Sequence, residues 1–141
     1  GRTQMMRAYA VIAGAWIAIL WFFTFRVAWA LFAVFPRERA GEATTALFPG
    51  YFFSAIALGA LSSVLLWRCR RDWVDTTALT VQILAVAALA TIPLFIQPAM
   101  AGHPPGTPDF ARLHGVSMAL NLFSLIAVPA ASLLVLARRK E

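Results

Sequence analysis

Four apolar runs, each longer than the roughly 18 residues that mark a membrane-spanning helix, constrain this chain more than anything else in it. They cover about Arg7 to Phe35, Thr44 to Trp67, Val74 to Gln97 and Asp109 to Ala137. Charged residues make up 13% of the 141 residues, about half of what a soluble globular chain carries, and they sit in short clusters between the runs. The sequence therefore predicts an all-α integral membrane protein: a four-transmembrane-helix bundle forming one domain over residues 1–141. The longest non-apolar connection leaves no room for a soluble domain. So small a bundle suits self-association or packing against other membrane subunits.

The runs carry their own punctuation. Pro36 ends the first, which at about 1.5 Å per residue exceeds a hydrocarbon layer of roughly 30 Å and must tilt or emerge. It runs on without a small-residue cleavage site and reads as a retained helix rather than a signal peptide. In the second, Pro49 and Gly50 predict either a helix that begins near Phe48 or a prelude that stops there. Ser54, Gly59 and Ser62 within it allow close helix contact. Asp75 with Thr76 and Thr77 is expected to open the third. Pro93 and Pro98 are expected to bend its far end, and Pro129 to kink the fourth.

Charge sets the orientation. Arg2, Arg7, Arg68, Arg70, Arg71, Arg138, Arg139 and Lys140 fall on one side, eight basic residues against Arg37, Arg39 and Arg112 on the other. The positive-inside rule makes the richer side cytoplasmic and places both termini there. In a bacterium this is the inner membrane. The net charge of +6 is then a topology and headgroup signal, and nucleic acid is excluded as a partner. Trp67 and Trp73 flank the inner turn as interfacial anchors. The single cysteine, Cys69, excludes an internal disulfide and a cysteine metal cluster.

Counting inward from the outer boundary brings polar groups from all four runs into the outer half. His114 lies roughly 8 Å in, and Asn121 about 10 Å deeper. Arg26, Tyr51 and Gln97 fall in the same outer half. His114, Ser117, Asn121 and Ser124 recur at spacings of three, four and three, one helical stripe. The inner half offers only Gln82 as a strongly polar group. Arg26 can snorkel outward or turn inward to carbonyls, Asn121, Tyr51 or an anion. His114 can tie two helices together, take part in proton-linked or ligand binding, or ligate a metal or haem. His103 is the second histidine and the weak metal pairing is His103 with His114. Asn121 reads as an interhelical hydrogen-bonding residue.

No zinc-protease, nucleophile-elbow or phosphate-loop motif occurs, and the six acids lie at or outside run ends. No enzymatic activity and no cofactor is expected.

Two stretches, ALFPGYF at 46–52 and FARLHGVSMALNL at 110–122, resemble the TMEM205-like family, the small DUF4149 membrane proteins of bacteria. The resemblance rests on Phe48, Pro49, Tyr51 and Phe52, then Gln97 and Pro98, then His114, Gly115, Ser117 and Asn121. Ala99 stands where relatives often carry arginine. The resemblance implies that the outer-half residues belong to the family's shared motifs. Two functions follow as expectations. The first is an accessory or structural subunit of a larger membrane complex. The second is a transport or binding module for a small solute, ion, haem or metal, using Arg26, Tyr51, Gln97, His114, Ser117 and Asn121.

Overall fold

The computed structural model describes residues 1–140, and all regular structure in them is helical. Four helices are long and apolar enough to cross a membrane: Arg2–Val34, Arg37–Cys69, Trp73–Met100 and Pro108–Ala137. The first is made of α1 (Arg2–Phe22), a π-turn (Phe23–Val27) and α2 (Ala28–Val34). The second is a single helix, α3 (Arg37–Cys69). The third joins α4 (Trp73–Thr91) to α5 (Gln97–Met100) through a second π-turn, Ile92–Ile96. The fourth is α6 (Pro108–Ala137), followed by one short 3₁₀ turn over Arg138–Lys140.

Chain order is also spatial order. Each long helix packs antiparallel on the next, and α6 closes the ring against α1. Both termini and the α3–α4 turn share one end, here the terminal end. The Pro36 turn and the 101–107 loop share the far end.

Local chemistry explains the joints. Phe35, preceding a proline, is forced into extended backbone (φ −105°, ψ 153°), and helix resumes directly at Arg37. Asp72 caps α4 by accepting from the amides of Val74 and Asp75 at 3.0 and 3.1 Å. Thr107 caps α6 ahead of Pro108, the position proline favours. Gly106 turns the 101–107 loop with φ of 88°, where a side chain would be strained.

Two expectations are corrected, and one joint is added that the sequence does not signal. Helix α3 neither begins nor restarts at Pro49: it runs through it from Arg37. The break is already made at Pro36, and membrane helices tolerate an interior proline where neighbours compensate. Helix α4 opens at Asp72 rather than Asp75, which releases the Asp75 carboxylate for another role. The first helix loosens at Phe23–Val27, where no proline or glycine signals it.

Two apolar clusters hold the bundle. One is built around Trp16, Leu20, Phe52, Leu89 and Val128. The other, toward the terminal end, uses Ala13, Leu66, Cys69, Leu79 and Val135. Trp16 lies so close to Gly59 that a Cβ there would stand 2.6 Å from both the indole and Val86, so no larger residue fits without movement. The outside is apolar as well: Val11, Phe53, Ile83, Ile126 and Leu133 are exposed. That surface is unfit for water and suited to hydrocarbon.

Candidate functional site

The far-half polar residues meet only in part. Tyr51 donates from its hydroxyl to Asn121 Oδ1 at 2.8 Å, and Asn121 Nδ2 donates to Thr24 Oγ1 at 3.0 Å. One amide thus joins the first, second and fourth long helices. Phe23 stacks on the Tyr51 ring at 4.1 Å and fixes it from the side. Tyr51 is buried, while Thr24 and Asn121 are half-buried.

The other predicted members stand apart. Ser117 and Gln97 are half-buried, and neither hydrogen-bonds to this triad. His114 is exposed and lies parallel to Phe110, ring centroids 6.3 Å apart. Arg26 is exposed, two residues along the first helix from Thr24. His103 Nδ1 lies 3.9 Å from Asp109 Oδ2. Among the described residues, no group of three or more His, Cys, Asp or Glu side chains could hold a metal ion.

A second polar layer sits toward the terminal end, where the sequence offered Gln82 alone. Gln82 Nε2 donates to the Tyr9 hydroxyl oxygen at 2.6 Å, and Ser62 Oγ donates to Gln82 Oε1 at 3.4 Å. All three side chains are fully buried. This layer joins the first, second and third long helices. Trp16, Leu20, Leu89 and Val128 fill the interior between the two layers.

Prolines create a further joint. Pro129 has no N–H for the carbonyl of Leu125, four residues back in α6. Trp21 Nε1 donates to that carbonyl at 3.1 Å and so ties the first helix to the fourth.

The terminal end is closed by charge. Asp75 is buried, and its carboxylate accepts from Arg139 Nη2 at 2.5 Å and from the Arg71 amide at 2.8 Å. Arg138 makes a bidentate contact with Asp72, at 2.6 and 3.2 Å. That guanidinium, with the cap amides, holds the Asp72 carboxyl well below the usual carboxylate range. Two basic residues that signalled topology in the sequence therefore also bind the C-terminal turn to the α3–α4 turn. A basic RRK tail matched by two acids three residues apart was the signal available for this clamp.

Depth counting missed Thr24, Tyr9 and Ser62. A threonine or serine in an apolar run reads as a helix-surface residue, and a tyrosine near a run's start reads as an interfacial anchor. Their partners lie 20 to 97 residues away, and depth does not tell which way a side chain faces.

The profile of the DUF4149 family, described as a domain of unknown function, matches residues 11–103. That match takes in the first three long helices, with Arg26, Tyr51, Gln82 and Gln97, and stops before His114 and Asn121. No curated protein matches the chain. No solved structure matches it either. With about two thirds of its length inside the family profile, this chain belongs to the DUF4149 family.

Proposed function

We propose that this chain is a non-enzymatic accessory or structural subunit of a larger complex in the bacterial inner membrane, with both termini cytoplasmic. One observation carries the reading. Six polar side chains inside the bundle hydrogen-bond to one another, in two layers that each join three helices. Such layers fix which helix faces which. The eight basic residues of the terminal end set the orientation. Purification from native membranes in mild detergent tests the proposal. The expected result is one stoichiometric assembly with other membrane proteins. A chain that always migrates as a free monomer overturns it.

A second reading rests on a separate observation: the far-half triad is half-open, and His114 and Ser117 lie outward of it on the same helix. Binding of a small solute, ion, haem or metal there would be lost in His114→Ala while protein level stays unchanged. For haem, a Soret band that disappears in the same variant is the expected sign. Equal loss of protein and function returns His114 to a structural role.

A further inference from the structure

The first long helix differs from the other three. Only 6% of its most apolar stretch is buried, against 33–39% in the others. No residue beyond Leu20 in it is buried. One uncovered face runs through Val11, Gly14, Ala18, Phe22, Arg26 and Trp29, all exposed. The π-turn at Phe23–Val27 adds a residue to the local helical turn, and such turns recur at functional sites.

Arg26 makes this face more than an apolar strip. Phe23 lies against Tyr51 and Phe48, which places Arg26 within the apolar level of α3 rather than beyond it. Among the described residues it has no hydrogen-bond or ion-pair partner. A guanidinium at membrane depth is costly unless paired. None of the described acids supplies the pair. Glu38 and Asp109 sit in the first turns of α3 and α6 at the far end, Glu42 lies one turn further along α3, and Asp72 and Asp75 are engaged at the terminal end. A second copy meeting this face about a two-fold axis would bring arginine to arginine. Gly14 and Ala18 on the same line permit the backbone of another helix to approach closely, which lipid does not require.

We infer that this face of the first helix docks a membrane-spanning helix of a different protein, one that carries an aspartate or glutamate at the depth of Arg26. The inference rests on the accessory-subunit reading and names its contact. A carboxylate would accept both guanidinium N–H groups in a planar fork, a geometry that lysine does not reproduce. Lipid phosphate, the competing occupant, accepts either cation.

Photo-crosslinking in native membranes tests this, with the reactive group placed at Ala18 or Trp29 of the full chain. The expected adduct is one membrane protein whose crosslinked span contains an acid within a turn. Arg26→Gln and Arg26→Lys should each lower its yield, the former by more than roughly tenfold. Arg26→Glu paired with the partner's acid changed to arginine should restore it. Arg26 is exposed and has no hydrogen-bond or ion-pair partner among the described residues, so protein level should stay constant in these variants. Adducts with lipid alone, with a second copy, or with a span lacking an acid overturn the inference, as does a yield that Arg26→Gln leaves unchanged. If a complex is isolated but its crosslinks leave from Phe53 or Ile126, this face is wrong and the subunit reading stands. If the chain is always alone, both fall.

Discussion

The two ends of the bundle solve the same problem differently. At the terminal end, Gln82, Tyr9 and Ser62 are sealed from any solvent, and the Asp75–Arg139 and Asp72–Arg138 pairs close the end over them. At the far end, Asn121, Thr24 and Tyr51 form an equivalent three-helix joint, but two of its members remain half-exposed, and the His103–Asp109 contact recorded at that end joins only the loop to the first turn of α6. Buried polar groups are expensive when a partner is lost, whereas half-exposed ones can find water or headgroups instead. The terminal end should therefore behave as the rigid part of the molecule. The far end, where the first helix separates from the fourth beyond its π-turn, should open at lower cost.

The largest expected effect follows from breaking the terminal clamp at its buried member. Asp75→Ala strips the partner from Arg139, which is mostly buried, and leaves the Arg71 amide unsatisfied. Removing one side of a buried pair costs about 3 kcal/mol or more. Thermal unfolding in mild detergent should show a clear drop, with Arg139→Ala close behind. A variant as stable as the parent would mean that the terminal end is no more rigid than the far one.

Next in size is a direct contrast between the two layers. Gln82→Leu keeps side-chain volume but strands the Tyr9 and Ser62 hydroxyls in a dry interior. The expected loss is about 1–2 kcal/mol. Asn121→Leu strands Thr24 and Tyr51 at a half-open site and should cost about 0.6 kcal/mol, the usual worth of an interhelical hydrogen bond. Equal losses would erase the distinction between sealed and open layers. A larger loss for Asn121→Leu would invert it.

Sequence reasoning reached the frame of this molecule but not its joints. Apolar runs longer than a bilayer requires admit little except helices, so the four helices and their order were legible from hydropathy alone. Depth is a count along a helix axis, so it assigned Tyr51 and Asn121 only to the same half of the bundle, where they bond at 2.8 Å. Facing is a rotation about that axis, and in runs apolar on every side no amphipathic stripe records it. This is why depth did not decide that Arg26 and His114 are exposed, and why Tyr9 meets Gln82 without a hint in the sequence. Proline was legible as a break at Pro36. Its subtler effect, freeing the Leu125 carbonyl for Trp21, depends on which indole lies alongside.

The smallest effect expected here concerns the exposed half of the terminal clamp and appears only in acid. Asp72 is held ionised mainly by the Arg138 guanidinium, so its carboxyl titrates below the unfolded value near 3.9. A depressed folded pKa contributes stability that is fully present above the unfolded value. That contribution is lost as pH falls through the folded one. Asp72→Asn isolates the charge, because asparagine caps a helix about as well as aspartate. Melting curves of parent and variant should differ by a constant small amount from neutral pH down to about pH 4. Below that the gap should narrow and then close as the parent's own carboxyl protonates. The pair is solvent-exposed, so salt should shrink the gap as well. A gap that persists at the lowest pH would mean that Asp72 acts through its cap geometry and not its charge. The terminal end would then owe its closure to the Asp75–Arg139 pair alone.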